Sequence, residues 1–279
     1  MNKKSYFNDN YTTDGIKLGS GTFGDVFEVK CLKTNIKYAA KFEKNNEDKC
    51  ILPTEAIILE DLTNKNIQGI PKKIDYVVST EYNILIMDLL DKSLHSIFKE
   101  CNKKFKLNTV LLLGIDILNI IEQLHNANYV HRDIKPSNFM IGFDNNLYLV
   151  DFGLAKKYMK GTKHVKYTND KSLVGTSQYV SLNIHYGFEY SRRDDLESIG
   201  YLLVYFLKGL PWQNKSDDDI KIIKLSTRIE KLCEDLPKCF EEFIKYCRKL
   251  SYKEKPDYDY LRNLFTKEAK GKKLKYEFI

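Results

Sequence analysis

Residues 129–138 read YVHRDIKPSN, and residues 148–157 read YLVDFGLAKK. The first stretch gathers His131, Arg132, Asp133, Lys135 and Asn138, and Asp151 and Gly153 follow in the second. Burying such groups without partners is costly, so they are poor material for an ordinary core. A loop that merely joined two elements would not need them either. Their order and spacing therefore point to chemistry carried between short apolar segments such as LYLV.

The rest of the chain sets limits on that chemistry. At 279 residues, 43% of them hydrophobic, the chain can bury a substantial core as one large domain or two lobes. Its formal charge of +7 is spread over that length among interspersed acids, which reads as solvated surface and requires no nucleic-acid partner. The cysteines Cys31, Cys50, Cys101, Cys233, Cys239 and Cys247 form no C-x-x-C pair and keep no zinc spacing with histidine, so reduced thiols are expected. The N-terminal stretch MNKKSYFNDNYTTDG has no apolar signal core and no glycine for myristoylation. The longest apolar run, TVLLLGIDILNIIEQL at residues 109–124, is interrupted by Asp116, Asn119 and Glu122; a buried helix is expected there, with no membrane span. With no signal core and no membrane span, the cytoplasm, the nucleus or both are the expected compartment, and a monomer is expected.

Two textures divide the chain. From Gly15 to about Asp88, segments rich in β-branched and aromatic residues alternate with turn formers: GIKLGS, DVFEVKCL, IKYAAKFE, KIDYVVS and YNILIMD. One helical pattern interrupts them, LPTEAIILEDLTN, with Glu55, Ile58, Leu59 and Leu62 on one face. Beyond Leu90 the pattern is mainly helical, with Asn108 placed to cap a helix through His125 and further amphipathic runs around Ile199 and Phe243. The expected architecture is α+β and bilobal: a β-rich lobe over residues 11–90, a hinge near Met87 to Asp91, and a helical lobe over residues 91–279, together one domain over 1–279.

Within the sheet region, LGSGTFGDV joins two strand-like segments and so reads as a hairpin, where a dinucleotide fingerprint would need a following helix. Its run of Leu18, Gly19, Ser20, Gly21, Thr22, Phe23, Gly24, Asp25 and Val26 would let backbone amides approach phosphates closely. Lys41 lies on a strand, and Glu55 lies on the apolar face of the region's helix, where an unpaired carboxylate would be costly. An ion pair between them resolves both positions and would present the ammonium to the α- and β-phosphates of a nucleotide.

Phosphoryl transfer asks a protein mainly to position reactants and neutralise charge. Asp133 would orient the acceptor hydroxyl and receive its proton, and Lys135 would approach the transferring phosphate. Asn138 and Asp151 would offer hard oxygens to Mg²⁺, with Gly153 giving the backbone freedom beside Asp151. An ordered set of this kind belongs to the protein-kinase signature.

With these residues in place, GSGTFGDV, AAK, HRDIKPSN and DFGLAKKY resemble the eukaryotic protein kinases, and specifically the casein kinase I family. The finer likeness lies in SLN at 181–183, where most protein kinases have Ala-Pro-Glu, and in SRRDDLESIGY, LPWQ and KPDYDYLRNLF; it runs from about Tyr11 to Phe265. The vaccinia-related kinases are a second, more distant likeness. The resemblance implies ATP as donor, with adenine at Asp88, Leu89 and Leu90 behind a gatekeeper at Met87. It implies Mg²⁺, protein substrates with serine or threonine acceptors in an acidic or pre-phosphorylated context, and Asp195 bracing the backbone of the catalytic loop. The chain departs from the family in GTSQY, where Gln178 replaces a common arginine that helps hold a substrate phosphate. Lys171 matches a second family cation, while a third finds no clear match near Lys221 or Lys224. A kinase-fold binding protein without catalysis is the contrasting class, and the presence of Lys41, Asp133, Asn138 and Asp151 argues against it.

Overall fold

The computed structural model describes residues 5–21, 24–45 and 50–278. The chain separates into two compact units, Met1–Lys92 with Met140–Gly153, and Ser93–Phe139 with Leu154–Ile279.

The first unit is built on a seven-stranded antiparallel sheet: β1 Ser5–Asn8, β2 Tyr11–Thr13, β3 Lys17–Gly21, β4 Gly24–Cys31, β5 Lys37–Lys44, β6 Lys73–Val78 and β7 Tyr82–Asp88. Its order is β1-β2-β4-β5-β7-β6, with β3 beside β4. Strand alternation sends Ala40 to a face where it packs with Tyr11, Val29, Ile84 and Ile86, and Tyr38 and Phe42 close over them. The opposite phase of β5 carries Ala39, Lys41 and Glu43. Lys41 lies opposite Val26 on one side and Leu85 on the other, so it belongs to a central strand and not to an edge.

Helix α1, Leu52–Asn64, is the partner of that phase. It has no capping side chain of its own at Ile51, yet the Glu43 carboxylate accepts the amides of Ile51 at 2.9 Å and Leu52 at 3.0 Å. This gives an acceptor to two of the amide donors that a helix start leaves unsatisfied, and a negative charge where the helix dipole favours one. Pro53 near the start pre-sets the backbone, and Glu55, Ile58, Leu59 and Leu62 form the buried face that their spacing predicts.

The second unit is mainly helical: α2 Leu94–Glu100, α3 Leu107–Asn126, α4 Leu182–His185, α5 Arg192–Lys208, α6 Asp217–Ser226, α7 Ile229–Leu232, α8 Lys238–Lys249 and α9 Tyr258–Glu268. The expected cap at Asn108 is incorrect. Lys106 is the N-cap, without a side-chain bond, and Asn108 is already inside α3. The buried ring of Phe105 meets Phe98 edge-on and packs tilted against Phe206 while its amide donates to the Phe206 carbonyl, and this anchoring decides where the helix starts. Among the described residues, α3 is the one helix long and apolar enough to cross a membrane, with mean hydropathy 1.5. Here Val110, Leu113, Ile117 and Leu124 bury it against α5 and α9. A capping box between Ser191 and Asp194 starts α5, whose Leu196, Ile199, Leu202, Leu203 and Phe206 are wholly enclosed and form the centre of this unit.

Candidate active site

In the first unit, the glycine-rich stretch is the β3–β4 hairpin, with Gly19 opposite Val26, Ser20 opposite Asp25 and Gly21 opposite Gly24. Thr22 and Phe23 lie outside the described residues. A bulge interrupts the pairing at Leu18, which stays exposed, and Lys17 pairs with Asp25 across the strands at 2.8 Å. Gly24 has φ +146°, and a Cβ there would lie 2.1 Å from the Phe42 carbonyl oxygen, so only glycine lets the hairpin lie this close to β5. Met87 and Asp88 end β7. The Asp88 carboxylate accepts the Lys72 amide at 2.8 Å, and Leu90 is buried just beyond.

On the other phase of β5, the Lys41 ammonium donates to Glu55 Oε2 at 2.7 Å and to Asp151 Oδ1 at 2.8 Å. Glu55 also accepts the Phe152 amide through Oε1 at 3.1 Å. Burial disfavours the ammonium, but the Glu55 and Asp151 carboxylates outweigh it and raise Lys41 above an ordinary lysine. Burial likewise pushes the Glu55 carboxyl up, and Lys41 pulls against it. Lys41 therefore stays cationic in a place where few cations would. Asp151 has φ +65°, a backbone state that a non-glycine residue keeps only when its surroundings hold it.

In the second unit, three side chains converge on the Asp133 carboxylate: Lys135 Nζ at 2.6 Å and Asn138 Nδ2 at 3.1 Å on Oδ2, and the Thr176 hydroxyl at 2.7 Å on Oδ1. Asn138 donates to the Asp133 carbonyl as well, at 2.9 Å. Both bonds use its amide nitrogen and turn its oxygen the other way. The loop backbone is held from α5. Asp195 accepts the amides of His131 at 2.8 Å and Arg132 at 2.9 Å, and His125 Nε2 lies 2.9 Å from the same carboxylate. Burial keeps His125 below the ordinary histidine range, so the neutral ring donates from Nε2 to Asp195 and accepts the Tyr258 hydroxyl at Nδ1, 2.6 Å away.

Arg132 has φ +71°, and its carbonyl faces Gly175 so closely that a Cβ on Gly175 would lie 2.3 Å from the oxygen. Gly175 and Thr176 thus tie the segment GTSQY to the loop that carries Arg132 and Asp133, a link not evident from sequence. The only hint was the glycine itself. Of the cations weighed for a substrate phosphate, Lys171 is exposed beside Asp170, whereas Lys224 is wholly buried. Gln178 turns its amide to the Tyr179 hydroxyl at 3.1 Å.

The donor types suit a nucleotide with Mg²⁺. Among the described residues, no group of three or more His, Cys, Asp and Glu could hold a metal, so the ion would rest on a carboxylate or an amide oxygen together with phosphate oxygens. Mg²⁺ is commonly bound in that way, keeping its other positions for water and substrate. In the first unit Asp151 offers a carboxylate of that kind, and in the second unit Asn138 offers an amide oxygen.

A sheet unit whose glycine hairpin and paired lysine suit phosphates, and a helical unit whose aspartate is fed by three donors, define a phosphotransferase. Residues 12–264 match the protein kinase domain, and the chain belongs to the protein kinase family. The α+β architecture is that family's, and its activity is phosphate transfer to proteins.

Proposed function

We propose that the chain is a serine/threonine kinase of the casein kinase I type, transferring the γ-phosphate of ATP to hydroxyls of protein substrates. The observation that carries this reading is the convergence of Lys135, Asn138 and Thr176 on one carboxylate, Asp133. Asp133 takes the proton of the acceptor hydroxyl as that oxygen bonds to phosphorus. The bond from the γ-phosphorus to the bridging oxygen breaks, and ADP leaves. Lys135, within reach of the same carboxylate, neutralises charge on the moving phosphoryl group, and Lys41 steadies the α- and β-phosphates. The hairpin from Leu18 to Val26 covers the phosphates, and Met87, Asp88 and Leu90 hold the adenine. Mg²⁺ supplies charge neutralisation on the phosphate oxygens when bound. The motifs SLN and SRRDDLESIGY support the casein kinase I type, and Lys135 within DIKPSN supports serine and threonine over tyrosine.

The substrate context is acidic, with weak dependence on a phosphate already present. Gln178 brings no charge, and Lys224 is enclosed. We assign the protein as a monomer of the cytoplasm or nucleus, with no need of nucleic acid or membrane. The test is labelled ATP with Mg²⁺ and one acidic peptide carrying serine, threonine or tyrosine at the same position. Transfer to serine and threonine should exceed transfer to tyrosine by about a hundredfold, the scale that buried polar mismatch and misplacement produce. Equal transfer to tyrosine would contradict the specificity, and nucleotide binding without transfer to any peptide would contradict catalysis.

A further inference from the structure

Lys224, in the last turn of α6, has no solvent exposure. Its Nζ donates to the carbonyls of Val180 at 2.7 Å and Ser177 at 2.9 Å, and meets His185 Nε2 at 3.1 Å. An ammonium has three donors and no acceptor, so these three partners satisfy it fully and fix His185 as the tautomer that accepts at Nε2. The rings of Tyr201 and Trp212 flank the charge at 4.9 and 5.2 Å from their centres. Burial draws the lysine down to about 7, with Glu197 raising it and Arg248 lowering it, and burial also holds His185 neutral, near 4. Enclosing a cation at this cost would be wasteful if the site needed only bulk, because a methionine would fill it.

The segment that Lys224 grips is the one that reaches Asp133. The amides of Tyr179 and Val180 close a turn on the Thr176 carbonyl at 2.9 and 3.1 Å, and the Thr176 side chain donates to Asp133. The Trp212 indole takes the Gln178 carbonyl at 2.8 Å, between the two that Lys224 takes. The carbonyls of Ser177, Gln178 and Val180 are therefore all held from outside the segment, two of them by one ammonium. No strand or long helix would otherwise fix this stretch.

We infer that Lys224 is a positioning residue for catalysis: by clamping the Ser177 and Val180 carbonyls it holds Thr176 on Asp133 and shapes the surface that meets the acceptor peptide. The inference rests on the reading of Asp133 as the group that faces the acceptor hydroxyl. It differs from a phosphate-binding role, since the ammonium is spent on backbone oxygens.

The experiment compares the full chain with Lys224→Met and Lys224→Gln. Amide hydrogen exchange at Tyr179 and Val180 is measured alongside steady-state constants for peptide and ATP. Losing two bonds from a charged donor should speed exchange at those amides by about tenfold or more in Lys224→Met. kcat/KM for peptide should fall by a similar factor while KM for ATP changes by less than about twofold. Lys224→Gln keeps two N–H groups and should recover part of both losses. If Lys224→Met does not fold, Lys224→Gln carries the test, with exchange faster than in the unmodified chain. Unchanged exchange in a folded variant would overturn the inference, as would equal losses toward peptide and ATP. An unmodified chain without transferase activity would remove the Asp133 reading and the catalytic role with it, while faster exchange in the variants would still show that Lys224 holds the segment.

Discussion

Removing either partner of the Lys41–Glu55 pair should have unequal consequences. The side chains of Lys41 and Glu55 are 6% and 2% exposed, so solvent screens the pair little. Lys41→Met leaves Glu55 in an apolar enclosure with the Phe152 amide as its donor and withdraws the cation between Glu55 and Asp151. Breaking a buried pair in that sense costs about 3–5 kcal/mol. Glu55→Leu leaves Lys41 its contact with Asp151, which is 24% exposed, so the loss should be nearer about 1.5–3 kcal/mol, one charge-assisted bond. The double variant replaces both charges by apolar groups and should cost less than the sum by about 2 kcal/mol or more. The assay is hydrogen exchange of amides in β5 and β7, where Lys41 and Leu85 pair. Acidity gives a second check. In Lys41→Met, burial raises the folded pKa of Glu55 above its unfolded value, so the folded state binds the extra proton between the two. Stability lost at neutral pH should therefore return as pH falls through that window. Additive losses, or a Glu55→Leu cost equal to that of Lys41→Met, would refute the coupling.

Thr176→Val keeps the shape but removes the 2.7 Å bond to Asp133, and should lower kcat by about 10- to 100-fold, the worth of one bond to a charged group. Thr176→Ser should retain most of the rate, and full activity in the valine variant would remove Thr176 from the site. Gln178→Arg should raise kcat/KM for a peptide with phosphoserine three residues before the acceptor by about tenfold relative to its unphosphorylated twin, with the gain shrinking in salt. A strong preference already present in the unmodified chain, and unmoved by the substitution, would show that other cations complete that pocket.

The sheet region was legible because its strands alternate and its punctuation is glycine, and α1 because four residues recur on one face. Lys41 and Glu55 could be paired from sequence since each was a charge in apolar company, which narrows the choices to one another. Less could be read where a polar residue finds its partner far along the chain. Thr176 meets Asp133 across 43 positions and Lys224 meets Val180 across 44, and neither has a local pattern that distinguishes it from a surface residue. Glu43 caps α1 from a neighbouring strand, so the helix start carries no cap of its own. At α3, a cap preference at Asn108 yielded to the anchoring of Phe105, a tertiary effect that no local propensity contains.

The most direct test of the account is single-turnover phosphate transfer by Asp133→Asn, measured with nucleotide binding on the same preparation. The substitution keeps the size of the side chain and takes away the carboxylate on which Lys135, Asn138 and Thr176 converge. Transfer should fall by about a hundredfold or more while the Kd for ATP with Mg²⁺ stays within about twofold. Transfer at nearly the unmodified rate would contradict the central claim that Asp133 receives the acceptor's proton.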